Sequence, residues 1–340
     1  MSDDPFVEAD DPAAAERERR RLEREARRAK STPAAEPEPP PKAKPPKPKK
    51  PPKVKAAHSR GHRAGVAVAL GVVFLGVAAI AALAYRHFHK STPPPVVVRT
   101  ITLTIPEGYT RAQTAEIAKA EGLRGSYEKA SVHSKYLNPA KYGGKGAKDL
   151  EGFLFPDTFE LLKHAKAADL VQLQVEDFKR RIAGVSMNYA RSKNLTTYDV
   201  LTIASMIEHE AGLESQRKLV AAVIYNRLHE GMPLGIDATT RFATGNYTRP
   251  LTESELAVDS PYNTRSHAGL PPGPIDSPGL ASIEAAAHPA KAGYLYYVAE
   301  PGACNKLAFS STEAEFNADV ERYNSAREAA GGNSPDSCGE

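Results

Sequence analysis

Hydrophobic and polar positions divide this chain into stretches of different character. From Ala64 to Tyr85 the sequence AGVAVALGVVFLGVAAIAALAY runs for 22 residues without a charge, and at 1.5 Å per residue a helix of that length crosses about 30 Å of hydrocarbon. Buried core helices are seldom so long, and a cleavable signal peptide does not sit behind some 63 preceding residues. The pattern therefore predicts a retained single-pass anchor over 64–85. Upstream, residues 16–30 (ERERRRLEREARRAK) place Glu and Arg at i,i+4 spacing with Leu22 as the one large apolar residue, a solvated or membrane-apposed helix with no face to bury. Residues 33–53 hold ten prolines and six lysines, which favours an extended, polyproline-like chain over a packed core.

Beyond the anchor the periodicity changes. VVVRTITLT alternates like a strand and runs into a helix capped by Thr110, with Gln113 completing a capping box and Gly122 as its stop. Lys141–Lys148 (KYGGKGAK) reads as a loop, and Glu151–Leu161 (EGFLFPDTFEL), broken by Pro156-Asp157, as a turn before a helix. Residues 199–214 predict a helix opened by Asp199, with Ile203, Met206, Ile207 and Glu210 on one apolar stripe. Glu208 lies about 200° round from Glu210 and faces elsewhere. A second helix is predicted over 216–229, with Leu219, Ala222, Val223 and Leu228 inward and Gly231 as its stop. The following stretch, dense in Pro and Gly over Leu270–Gly279, reads as a long binding or active-site loop. Leu295–Val298 closes the pattern as a strand. The predicted plan is a tail over 1–63, the span over 64–85, a linker over 86–98, a small β-α subdomain over 99–150, a catalytic-sized domain over 151–325 and a tail over 326–340. The fold class is α+β.

Charge orients this plan. Residues 1–63 carry 17 basic and 11 acidic side chains, whereas 91–340 carry 26 basic and 30 acidic. A mildly acidic folded part excludes nucleic-acid binding by that part. Seven Lys or Arg lie within 47–63, against Arg86 and Lys90 after the span. The positive-inside rule then puts the N-terminus in the cytoplasm and 91–340 outside the plasma membrane. Two cysteines and no Cys-x-x-Cys pair exclude a disulfide-dense scaffold or a Cys-rich zinc module.

Glu210 is the candidate for chemistry. A carboxyl on the apolar face of a helix is costly when ionised, and desolvation raises its pKa, as a general acid requires. The same position also suits a carboxylate paired with a buried Arg or with backbone amides. His209-Glu210 and His229-Glu230 both lack the second His of H-E-x-x-H, since Leu213 and Pro233 stand there; no metal site of that kind is expected. A nucleophile elbow, a P-loop and a dinucleotide fingerprint are also missing from the sequence.

In order, the segments EGFLFPDTFEL, LTIASMIEHEAG, VAAVIYNRL, LGIDATTRFATG, SPYNTRSHAGLPPGPIDSPG and AAAHPAKAGYLYYV resemble the endolytic murein transglycosylase family (MltG, YceG-like). The resemblance covers about residues 100–323. It implies an N-terminal anchor, a LysM-like subdomain here reduced to one β-α unit, and a mixed α/β catalytic domain with the catalytic Glu on a helix. It implies cleavage of MurNAc–GlcNAc bonds in peptidoglycan strands to 1,6-anhydroMurNAc ends, next to the synthases that make those strands, without a cofactor. The second acid of the family's E-x-E motif maps to Glu210. Glu208, Asn226, Asp237, Thr239, Tyr262, Asn263 and Thr264 would line or brace the sugar cleft. Gly235, Ala238 and Leu307 depart from the family's usual Gln, Pro and His. A hydrolysing muramidase using Glu210 with Asp237, and a non-catalytic scaffold that holds peptidoglycan for synthases, are the competing readings.

Cys304 and Cys338 are the two cysteines, and both lie on the expected outer side, where disulfides persist. A bridge would close about 34 residues and contribute roughly 3–4 kcal/mol in the chain-entropy model. Non-reducing peptide mapping should recover the two in one linked peptide; free, alkylatable thiols at both positions would contradict this.

Overall fold

A computed structural model describes residues 75–85 and 99–335. Residues Met1–Thr92 and Pro93–Glu340 form separate contact units. In the first, residues 75–85 are an exposed helix, and among the described residues no helix is long and apolar enough to cross a membrane. Residues 64–74 of the expected span, the tail before them and the linker over 86–98 lie outside the described residues, as does Cys338.

The second unit is helix-rich, with two small antiparallel ribbons. Strand β1 (Thr100–Thr104) leads into α1 (Arg111–Ala120), whose N-cap Thr110 forms the expected capping box with Gln113. A short α2 (Tyr127–Ala130) follows. The segment expected to be a turn before a helix is strand β2 (Thr158–Leu162), paired with β1 from Thr100↔Leu162 to Thr104↔Thr158. Pro156 stops short of the ladder, and the alternation Phe159 in, Glu160 out, Leu161 in is that of a half-buried strand. This ribbon joins residues on both sides of the expected boundary at 150. Next, α3 (Ala167–Ile182) buries Leu170, Val171, Gln174, Val175 and Phe178 at 3,4 spacing, and α4 (Asn188–Ser192) is a short connector.

The centre of the unit is α5 (Thr197–Glu210). Thr196, not Asp199, is its N-cap: the Thr196 hydroxyl accepts from the Asp199 amide while the Asp199 carboxylate accepts from the Thr196 amide. Every residue from Val200 to Ile207 is buried, so the expected single stripe is replaced by burial on all faces. Its neighbours are α6 (Arg217–His229), α7 (Asp237–Thr244) and α9 (Leu280–Ala287), with a short α8 (Glu253–Leu256) beyond α7. The expected long loop thus contains three helices. α9 buries Ser282, Ile283 and Ala285–Ala287, too continuous a run to show a helical period. α5 ends at Glu210 and does not continue to 214, because Ala211 is extended. Phe153 packs between Phe178 and Tyr198, tying α3 to the start of α5.

The second ribbon pairs β3 (Tyr296–Ala299) with β4 (Leu307–Ser310). Gln216 clasps it by donating to the Leu307 carbonyl and accepting from the Leu307 amide, both at 3.0 Å. The last helix, α10 (Glu313–Ala329), runs past the expected boundary at 325 and stacks Phe316 on Tyr296. Cys304, between β3 and β4, is disulfide-bonded.

Gly143 has φ +100°, and a Cβ there would lie 2.3 Å from the Cβ of the cap residue Thr196. Gly143→Ala should cost at least ~2 kcal/mol, by strain and by displacing that cap. Gly122→Ala, at φ +73° with nothing within 4 Å, should cost only about 1 kcal/mol. Thermal unfolding of the two variants checks the order.

Candidate active site

The last turn of α5 sends three consecutive polar side chains in different directions. Glu208 is 7% exposed, 3.0 Å from an Arg217 guanidinium nitrogen, and accepts from the Gly279 amide at 2.9 Å. It therefore caps α9 from outside that helix, where a negative charge is favourable. His209 Nε2 lies 2.7 Å from Asp276 Oδ2. Glu210 accepts a 2.9 Å hydrogen bond from the Tyr297 hydroxyl of β3. The rotational separation of Glu208 and Glu210 expected from helix geometry is thus realised as two different sets of partners.

Segment 275–279 is the floor beneath this turn. On one side the Ser205 hydroxyl accepts from the Ile275 amide, and Glu208 and His209 hold Gly279 and Asp276. On the other side Gly108 donates to Ser277 and Ser277 donates to Tyr109, so the β1–α1 turn forms the opposite wall. A Cβ at Gly279 would meet the exposed Glu107 carboxylate at 2.0 Å, so a larger residue there displaces that side chain. Glu107, Gly108, Tyr109, Gln113, His209, Glu210, Asp237, Ala238, Arg241, Tyr247 and Ile275 enclose an open cleft of about 540 Å³.

Burial favours the protonated form of two cleft carboxyls, Glu210 and Glu107. Burial raises the Glu210 pKa above the ordinary 4.5; the Tyr297 hydrogen bond opposes this, Asp237 adds to it, and His209 and Arg265 lower it. The negative end of α5 acts in the same direction as burial. Glu107 is also raised, first by burial and then by Glu208. Behind the cleft lining, burial pushes Glu151 up to about 8, although both its oxygens accept from the Arg111 amide at the start of α1. Among the described residues, no three or more His, Cys, Asp or Glu are placed to hold a metal ion.

Of the residues singled out in the sequence, Glu210 and Asp237 line the cleft, and Asp237 pairs there with Arg265 at 2.5 Å. The others touch protein. Asn226 donates to the Ala292 and Tyr294 carbonyls and so holds the approach to β3. Thr239 and Thr264 share a 2.9 Å hydrogen bond, and Thr264 also accepts from the Ile236 amide. Asn263 donates to the Leu256 and Val258 carbonyls, and Tyr262 packs on Phe242. A second hollow of about 560 Å³, lined by Tyr189, Lys193, Tyr225, Asn226, His229 and neighbouring leucines, contains no carboxylate, so acid chemistry belongs to the first. Sequence patterning missed Glu107, Tyr109, Asp276 and Tyr297. Each reaches the site from a distant segment, and only the SPG run and the LYYV strand hinted at the last two.

Tyr297→Phe deletes a donor that favours the ionised form of Glu210. Carboxyl-carbon NMR should find Glu210 titrating above 4.5 in the parent and as a roughly tenfold weaker acid in the variant. A lower value in the variant would contradict the geometry.

Comparison with known proteins places this arrangement. The model of the YceG-like family matches residues 79–322. The endolytic murein transglycosylase of Bacillus subtilis (strain 168) is 30% identical over 269 residues, covering 72% of this chain and 73% of the relative. That of Streptococcus pneumoniae (strain R6) is 34% identical over 227 residues, 58% of this chain but 40% of the longer relative. The crystal structure of a YceG-like protein from Listeria monocytogenes superposes with a TM-score of 0.57 at 34% identity, covering 65% of this chain and 76% of that one. A mixed α/β unit with a raised carboxyl at a helix end, matched over most of its length in sequence and in structure, makes this chain a member of the YceG-like family.

Proposed function

We propose that this chain is an endolytic peptidoglycan lytic transglycosylase, cleaving MurNAc–GlcNAc bonds within glycan strands and leaving 1,6-anhydroMurNAc ends. The observation that carries the reading is the Glu210 carboxyl, raised in pKa and facing an open cleft, in a chain whose relatives bear the name endolytic murein transglycosylase. Protonated Glu210 donates to the glycosidic oxygen as its bond to C1 breaks. The resulting carboxylate takes the proton of the MurNAc C6 hydroxyl while that oxygen bonds to C1. The proton count closes on one residue and no water is consumed. Burial favours the acid half of this cycle, and the Tyr297 hydrogen bond favours the carboxylate half. Asp237 lines the same cleft, which supports a role for it in stabilising positive charge at C1. No second carboxylate acting as nucleophile or base, at the ~5–9.5 Å separations of ordinary glycosidases, is required.

The uncharged stretch 64–85 and the excess of cations before it support a single-pass anchor with the N-terminus in the cytoplasm. The catalytic unit would then work on the outer face of the plasma membrane, where synthases extrude new strands, and cleavage there would terminate their elongation. The β-α unit over 99–150 contributes a wall of the cleft through Glu107–Tyr109 and Gln113, so we read it as part of the catalytic machinery whatever its relation to LysM modules.

Glu210→Gln keeps size and hydrogen bonding but cannot shuttle a proton. Release of anhydro-ended fragments from purified peptidoglycan should fall by at least ~10²-fold, with the circular dichroism spectrum unchanged. Glu208→Gln, which still accepts from Gly279, should lose less. Near-normal turnover of Glu210→Gln would reject the assignment.

A further inference from the structure

Asp276 is fully buried and, among the described residues, has no protein partner except the ring of His209. A buried carboxylate with a single partner is costly, and removing that partner leaves an uncompensated charge. Such a group is expected to have a task beyond stability. Its effect falls on one imidazole. The Asp276 contact, opposed by burial, raises the His209 pKa above 6.5 and so favours the imidazolium, in which both ring nitrogens donate, while burial pushes Asp276 up to about 6.

The ring is clamped on one edge and open on the other. A Cβ at residue 108 would lie 3.5 Å from His209 Cε1 and 3.8 Å from Nε2, so the β1–α1 turn covers the edge that meets Asp276. The side chain is nonetheless 38% exposed and lines the cleft. No described protein group bonds Nδ1, which leaves that nitrogen to a ligand, as a donor in the imidazolium form. The cleft is otherwise acidic, lined by Glu107, Glu210 and Asp237. Its other cation, Arg241, donates to the Asn246 and Arg249 carbonyls.

We propose that His209 is a substrate-contacting residue and Asp276 its positioning residue, the Nδ1–H being donated to a carboxylate or carbonyl oxygen of the lactyl side chain that distinguishes N-acetylmuramic acid from N-acetylglucosamine. This rests on the transglycosylase reading. It gives the cleft a means of placing the muramic residue, whose C6 hydroxyl is the nucleophile, in register beside Glu210. A GlcNAc in that place offers only its C3 hydroxyl, with no carboxylate or carbonyl oxygen.

The test separates recognition from cleavage by using the full-length chain carrying Glu210→Gln. Its affinity is measured by calorimetry for peptide-free glycan strands, which bear the free lactyl carboxylate, for strands with intact stem peptides, which bear the amide carbonyl, and for neutral GlcNAc oligomers of equal length. The expected result is about tenfold tighter binding of the carboxylate-bearing strands than of the neutral oligomers, with the peptide-bearing strands between. Adding His209→Gln should abolish the preference, and Asp276→Asn should reduce it. The double change His209→Gln with Asp276→Asn, which leaves no orphaned charge and so guards against misfolding, should bind all three alike. A folded double variant that keeps the parent's preference would overturn this inference alone. A parent that binds no glycan at all would overturn it together with the activity reading.

Discussion

A carboxyl group at the end of a helix that is buried on every side is the constraint on which the rest of this structure depends. Eight consecutive residues of α5 are covered, which demands partners all round it and accounts for the packing of α6, α7 and α9 against one rod. Beyond Ile207 the rod emerges from the core in its last turn, where Glu208, His209 and Glu210 face a salt bridge, a buried aspartate and a cleft in turn. Desolvation at that point favours the protonated acid, and the single Tyr297 donor restrains the effect without reversing it.

Six polar residues around that turn hold its surroundings in place. Gln216, Asn226 and Arg227 fix the backbone around β3 and β4, and this fixes Tyr297 against Glu210. Thr239, Asn263 and Thr264 fix the turn that carries Asp237 and Arg265. Their side chains are spent on backbone amides and carbonyls, the usual arrangement when functional groups must be held to within a fraction of an ångström. The β-α unit that precedes them is pinned to segment 275–279 by paired backbone hydrogen bonds, so the cleft has a wall from each half of the unit.

What patterning could reveal follows from the range of the forces involved. The capping box at Thr110, the strand before it and the apolar surroundings of Glu210 are local, and were legible from spacing alone. The cap at Thr196 and strand β2 escape patterning because a Thr-x-x-Asp box and a strand behind a Pro-Asp turn compete with equally local alternatives. α9 was hidden because an Ala-rich helix buried nearly all round has no period to detect. Tyr297 is 87 residues from Glu210 and Gly279 is 71 from Glu208; no spacing rule reaches across such gaps. Residues such as Asn226 and Asn263 were legible through resemblance to a family, and their geometry shows them bracing backbone away from the cleft surface.

The central claim is that one carboxyl performs both proton transfers and that the sugar's own C6 oxygen, not water, takes C1. Digestion of peptidoglycan by the full-length chain in water enriched in oxygen-18, with mass analysis of the new ends, tests it most directly. The account predicts anhydro ends that carry no heavy oxygen; MurNAc reducing ends labelled at C1 would contradict it.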